Sequence, residues 1–285
     1  MGRIALLTCR DLPEPDPDEA LTLQAFRAAG YDAQLLAWNA PGESPGAFDL
    51  CIIRSTWDYI WHVEAFDAFL SETARVTHLC NSLEAVRWNV HKRYLAALEA
   101  AGLPVTPTLH VGRGEPPTMH EFAQLDWGSV VVKPAVSGSS YATRRFAAHA
   151  HDEALAFLRD LTARRDAMVQ PYISTVEQGG ERALVCIDGE LSHAIVKTAR
   201  FKGDQEQVSA AHVPTGQERA FVQQALACLP ASLREGLLYA RVDVFDDGAG
   251  GLLLSELELI EPSLYFVQAP RALDAFVAAV ERRLR

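Results

Sequence analysis

The run LLLSELELIEPSLYF, residues 252–266, sets Glu256, Glu258 and Glu261 among leucines and an isoleucine. A carboxylate buried without a partner is costly, so such acids need a cation or a proton. In YARVDVF, period-2 alternation puts Arg241 and Asp243 on one strand face, and in LSELELIEP it does the same for Glu256 and Glu258. The DDGAGG segment between them reads as a hairpin, which makes the two strands antiparallel neighbours. Asp243, Glu256 and Glu258 then converge on one patch. Three carboxylates there repel unless a hard cation sits among them. Magnesium suits this role, because it takes oxygen ligands and keeps waters and substrate phosphates in its shell. The alternative is an acid row neutralised by Arg182, Arg241 and Lys197.

A complementary set of cations lies earlier in the chain. In VVVKPAVSGSS, Lys133 ends an apolar strand and Ser137, Gly138, Ser139 and Ser140 follow. A Gly/Ser loop offers backbone N–H groups to phosphate oxygens, and the lysine adds a point charge. No G-K-[ST] follows the glycine, so this is not a P-loop. Lys197 ends HAIVKTA, and Arg182 starts the strand expected to pair with it. Lys92 lies in HKRYLAALEAAG, which reads as a helix. Each of these cations, taken alone, also fits an ordinary surface or strand residue. In MVQPYI, Gln170, Pro171, Tyr172 and Ile173 leave a strand at a proline, as a hinge or a plain loop would. Glu177 and Glu181 follow directly.

These residues need elements to hold them. RIALLTC, AQLLAW and FDLCIIRSTWDY read as buried strands, with DEALTLQAFRAAGYD as a helix after the first and Gly30 as its cap. That order predicts a small α/β unit with a parallel sheet. Ligands of such sheets bind beyond the carboxyl ends of the strands, where RSTWDY falls. Ser82 starts a helical stretch that Gly102 and Pro104 stop. HDEALAFLRDLTARRD, GQERAFVQQALACLP and APRALDAFVAAVERRLR read as further helices. RALVCIDG and ELSHAIVKTA read as a hairpin turning at Asp188-Gly189. The expected divisions are an N-terminal α/β domain over 1–82, a central lobe over 83–172 and a C-terminal lobe over 173–285.

The chain has 285 residues, 49% hydrophobic and 22% charged, which is globular composition. Its formal net charge is -11, and no block of Lys/Arg occurs before the terminal ERRLR, which argues against a nucleic-acid partner. No apolar run approaches a membrane span, and the first residues lack the apolar core and cleavage site of a signal peptide. Five cysteines without a C-x-x-C pair point to a reducing cytoplasm, with neither a disulfide framework nor a zinc site.

The order of these motifs carries more than any one of them. A lysine before a strand lysine with its Gly/Ser loop, then QPYI, GGERALV, a strand aspartate and E-x-E, resembles the ATP-grasp ligases over residues 80–266, specifically their glutathione-synthetase-like branch. The set RSTWDY, VVKPAVSGSS and ELELIEP resembles the D-cycloserine synthetases, the O-ureido-D-serine cyclo-ligases. The resemblance implies an α/β (α+β) ATP-grasp fold, with a Rossmann-like N-terminal sheet and two lobes clasping ATP. It implies that Lys92 and Lys133 hold phosphates, that the Ser137–Ser140 loop closes over them, that Met168 and Val169 flank adenine, that Gln170–Ile173 form the hinge and that Glu177 faces the ribose. It implies Mg²⁺ on Asp243, Glu256 and Glu258, and catalytic charge from Arg182, Lys197 and Arg241. Arg54, Ser55, Thr56, Trp57 and Asp58 would belong to the substrate pocket. Many relatives read E-x-N where this chain has ELE.

The implied chemistry is ADP-forming ligation of a small-molecule carboxylate to an amine through an acyl phosphate. Either one amino-acid derivative closes on itself or two molecules are joined. Dimers and tetramers are common among such ligases. Two rivals from other classes are a non-catalytic ATP-binding module and a metal-dependent hydrolase. The second lacks histidines near the acids.

Overall fold

Three four-stranded sheets carry the fold, each following from a different side-chain pattern. A computed structural model describes residues 2–41, 44–138, 140–198 and 207–285. In the first sheet, strands β1 (Arg3–Thr8), β2 (Asp32–Ala37), β3 (Leu50–Ser55) and β4 (His78–Cys80) are all parallel, in the order β2-β1-β3-β4. Both faces are covered, which is why β1 and β3 read as unbroken apolar runs. Ile4, Leu6, Leu50 and Ile52 pack with Phe26 of helix α1 (Glu19–Ala28) and Phe276 of the C-terminal helix. Ala5, Leu7, Cys51 and Ile53 face Phe66 and Leu70 of helix α2 (Val63–Val76). Strand β4 and α2 escape the sequence reading: β4 has only three residues, and α2 follows the polar RSTWDY end without a capping side chain.

Helix α3 (Leu83–Asn89) starts at Ser82, whose hydroxyl accepts from the Ala85 N–H. The helix expected to run through Lys92 is interrupted. Its backbone N–H bonds to Ala135 O instead, and α4 (Tyr94–Ala100) begins only after it. Lys92 is therefore a turn residue between two helices, tied to the strand that carries Lys133.

The second sheet runs β5-β8-β6-β7, from β5 (Leu109–Val111), β6 (Val130–Pro134), β7 (Arg144–Phe146) and β8 (Ala167–Pro171). It is antiparallel throughout. Val130, Val132, Ala167 and Val169 turn toward Leu155 and Leu158 of helix α6 (His151–Thr162), and α5 (Met119–Ala123) adds Phe122. Alternation then sends Val131, Lys133 and Gln170 to the opposite face.

The third sheet is also antiparallel, in the order β10-β9-β11-β12: β9 (Glu181–Ile187), β10 (Glu190–Lys197), β11 (Tyr239–Asp246) and β12 (Leu252–Glu258). The short helix α7 (Val176–Gly179) leads into β9. The β9–β10 hairpin turns at Asp188 and Gly189, both with positive φ (53° and 81°), as the sequence reading expects. One face packs Leu184, Val242, Val244 and Leu254 on Phe221 and Val222 of helix α8 (Gly216–Ala227), which α9 (Ala231–Arg234) follows. The other packs Ala183, Val185 and Tyr239 toward α10 (Pro270–Leu284) and the first sheet. Beyond the reach of α10, that face carries charge. Among the described residues, no helix is long and apolar enough to cross a membrane.

Candidate active site

The charged face of the third sheet and the face of the second sheet bearing Lys133 border one cavity of about 270 Å³. Register explains its composition. Asp243 lies directly opposite Glu256, and Arg241 opposite Glu258, so the three acids share one face, as alternation predicts. Only a bulge keeps this in phase. The register shifts between Asp243 and Val244, Ser255 is skipped, and Leu254 and Leu257 both reach the α8 side.

The acids are interleaved with cations. Asp243, 2% exposed, accepts from Lys197 Nζ at 2.6 Å and from Arg241 Nε at 2.9 Å. Burial works against its charge, but Arg241 and Lys197 hold its carboxyl below the usual range. Glu256 meets Lys92 Nζ at 2.7 Å, and Lys92 and Lys133 hold it low against the same burial. Glu258 is paired with Arg241. Burial, with the charges of Asp243 and Glu256 added, still pushes Glu258 up to about 8. Arg241, Lys197 and Lys92 match these three acids in number, but Glu14, Glu181 and Glu261 line the same cavity and bring its carboxylates to six against four cations, Lys133 included. Carboxylate oxygens are the ligands a hard divalent cation takes, although among the described residues no three acids are grouped closely enough to hold a metal ion as they stand.

Lys133 is the opposite case. Burial lowers its ammonium below the ordinary lysine range, and Lys92 and Lys197 add to the effect against Glu256 and Glu181. Among the described residues, no carboxylate lies within ion-pair distance of it. A half-buried, desolvated cation that faces a cavity with no counter-ion among the described residues invites an anion. Ser137, Gly138 and Ser140 line the same cavity, and the Ser137 carbonyl accepts from Lys92 Nζ at 2.7 Å. Ser139 lies outside the described residues. Gln170, Pro171, Tyr172 and Ile173 border the far end. The Gln170 side chain is fixed by donation to Thr108 Oγ1 at 2.9 Å.

Several residues expected at the site are elsewhere. Arg182 pairs across the strands with Val196 and Val244, which puts it on the α8 face, 3.8 Å from Glu218 and 3.7 Å from Asp246. Glu177 does not line the cavity. It is held by Arg145 at 2.9 Å and by the Tyr172 hydroxyl at 3.1 Å, while the Arg145 guanidinium stacks 3.5 Å from the Tyr172 ring centroid. Glu181, the other acid after the hinge, does line it and meets Lys197 at 3.0 Å.

Of the RSTWD segment only Trp57 reaches the cavity. Arg54 donates to Pro262 O at 3.0 Å, and Ser55 to Thr8 Oγ1 at 2.9 Å. Thr56 is buried with its hydroxyl unpartnered. Asp58 accepts from Trp38 Nε1 and Asn39 Nδ2, both at 2.6 Å. These four brace the wall from behind. The cavity's end near Trp57 is lined instead by Glu14, Tyr59, Glu261, Ser263 and Tyr265. Sequence reasoning assigned none of them a role by name, although Tyr59 closes the RSTWDY segment placed at the ligand end of the strands. Glu261 left a second signal, as an acid set beside a proline at the end of an apolar run.

Comparison with known proteins places the fold among relatives. The family model for the N-terminal domain of D-cycloserine synthetase DcsG matches residues 4–81. Over 302 aligned residues, covering 100% of both chains, the sequence is 31% identical to the cycloserine biosynthesis protein DcsG of Streptomyces lavendulae. The crystal structure of D-cycloserine synthetase DcsG superposes with a TM-score of 0.91 at 31% identity, covering 100% of each chain. A D-alanine–D-alanine ligase from Bacillus anthracis shares the fold, with a TM-score of 0.71 at 15% identity over 100% of this chain and 99% of that one.

Proposed function

Since the chain belongs to the D-cycloserine synthetase family of ATP-grasp ligases, we propose that it closes a small amino-acid derivative into a ring through an acyl phosphate. Family membership makes it an enzyme and an ATP-dependent ligase. The finer reading rests on one observation: half-buried, desolvated Lys133 faces the cavity with no carboxylate at ion-pair distance among the described residues, across from Asp243, Glu256 and Glu258.

In this reading Lys133 and Lys92 bind the phosphate chain of ATP, and the loop of Ser137, Gly138 and Ser140 covers it with backbone donors. The hinge Gln170–Ile173 borders the base. Asp243, Glu256 and Glu258 would hold Mg²⁺, which when bound neutralises charge on the triphosphate. Arg241 and Lys197 keep positive charge fixed beside the acids, where negative charge gathers on the transferring phosphoryl group. A carboxylate oxygen of the substrate attacks the γ-phosphorus, and ADP leaves. The acyl phosphate then offers a good leaving group, and a nitrogen of the same molecule attacks its carbonyl. Closing the loop onto the first sheet excludes water from that intermediate. Contacts for such closure exist: the Trp61 and Tyr141 rings meet edge-on at 5.6 Å.

Substrate-dependent ADP release tests the reading. O-ureido-D-serine alone, with ATP and magnesium, is expected to drive turnover that a chelator removes. Turnover only with pairs of amino acids would assign intermolecular ligation. Tight ATP binding without ADP from any carboxylate would leave a binding module.

A further inference from the structure

The ligase reading leaves one chemical need unmet. The attacking nitrogen loses a proton when its bond to the carbonyl forms, and none of the groups above receives it. We propose that Glu261 is the proton acceptor for that nitrogen, an assignment that rests on the ligase reading.

Five other carboxylates line the cavity, Glu14 and the four of Glu181, Asp243, Glu256 and Glu258, and each of those four meets an ammonium or guanidinium. Among the described residues, Glu261 has no cation within ion-pair distance. It is nevertheless held firmly. Trp57 Nε1 donates to its backbone oxygen at 3.1 Å, and the buried Tyr59 side chain beside its carboxylate favours the charged form. The next carbonyl, of Pro262, accepts from buried Arg54 at 3.0 Å. Arg54 thereby becomes a positioning residue for this turn.

The placement suits the task. A Cβ added to Gly138 would lie 3.9 Å from Glu261 Oε1, so the carboxylate sits against the loop assigned to the phosphates. On its other side are Trp57 and Tyr59, from the unit that walls the substrate end. Burial, with Glu256 adding, pushes the Glu261 carboxyl up to about 7, while Tyr59, Lys92 and Arg241 pull it down. A base in that range can take a proton and give it up again near neutral pH. In the step, the N–C bond forms and the C–O bond to phosphate breaks. Phosphate leaves with the electron pair, and the N–H proton passes to the Glu261 carboxylate and then to solvent.

Hydroxylamine separates the two halves of the reaction. It is neutral at pH 7 and attacks acyl phosphates without a protein base, giving a hydroxamate. With O-ureido-D-serine as substrate, E261Q is expected to lose about 10²–10⁴-fold in cyclic product while hydroxamate formation stays within about threefold of wild type. Preserved hydroxamate formation also shows that the variant is folded and binds ATP. If both products fall together, if neither falls, or if only the substrate KM rises, Glu261 is not the acceptor. Wild-type enzyme yielding neither hydroxamate nor ADP would overturn the ligase reading itself, and this proposal with it.

Discussion

Two regions of the molecule bury charge, and they do so in opposite ways. At the end of β3 the polar groups, the Thr56 hydroxyl apart, are wired inward: Asp58 holds Trp38 and Asn39, Ser55 holds Thr8, and Arg54 holds the Pro262 carbonyl. Between the second and third sheets, Lys133 has no carboxylate within ion-pair distance among the described residues, and Glu258 is pushed up to about 8 by burial and by neighbouring acids. Buried polarity by itself therefore does not mark a site. Polarity that stays unbalanced and opens onto a cavity does, because desolvation without compensation persists only where a ligand completes it.

The comparison breaks most sharply at Lys133. Replacing it with methionine removes a desolvated, half-buried charge while keeping an unbranched side chain of similar length. Turnover is expected to fall by at least about 10²–10³-fold, the effect of losing one preorganised charge at a developing anion. Stability without ATP is expected to hold or rise, since the ammonium is desolvated and faces no carboxylate at ion-pair distance. Steady-state kinetics and calorimetry on the same K133M preparation check both halves. A clear drop in Tm would mean that Lys133 is wired as the β3 end is.

Much of this contrast was legible in the sequence, and the part that was not has a physical cause. Strand alternation in YARVDVF and LSELELIEP correctly put Asp243, Glu256 and Glu258 on one face, because side chains in a strand alternate whatever surrounds them. The loop after Lys133 was visible from its glycine and serines. The segment RSTWD was not resolvable by the same means. Its strand ends at Ser55, and beyond that point no period says which side chain turns inward, so Trp57 alone reaches the cavity. Lys92 illustrates a second limit. Helix propensity favoured a helix through it, but its N–H found the Ala135 carbonyl, and tertiary contact overrode local preference. Glu14 and Tyr265 enter the cavity from irregular segments. Their approach depends on packing between distant parts of the chain, which one sequence does not display.

Asp58 sharpens the comparison from the other side. Its carboxylate accepts two hydrogen bonds of 2.6 Å, from groups that truncation would leave without a partner. Asp58→Ala is expected to cost about 2–4 kcal/mol of stability, on the scale of hydrogen bonds to a charged group. Turnover well below the melting range should stay within about threefold of wild type, because the side chain does not line the cavity. Urea denaturation paired with ADP release measures the two separately. A variant of normal stability with a raised substrate KM would return Asp58 to the substrate pocket.

The smallest effect is expected at Arg182, and it is the most informative about strand faces. Glu181 and Arg182 are sequence neighbours, yet Glu181 faces the cavity beside Lys197 and Arg182 faces α8. Its two ion pairs are long, at 3.8 and 3.7 Å, and its principal partner Glu218 already caps α8 by accepting from the Thr215 N–H at 2.7 Å. Removing the charge should therefore cost about 0–1 kcal/mol, as loosely held pairs do. Arg182→Gln is expected to leave kcat and the ATP KM unchanged within error, whereas Lys197→Met, on the cavity face of the paired strand, should lose activity. If R182Q were inactive with a normal Tm, the β9 register would have to slip by one residue. That slip would carry Glu181 out of the cavity and Ala183 away from α10, exchanging the whole of one face for the other.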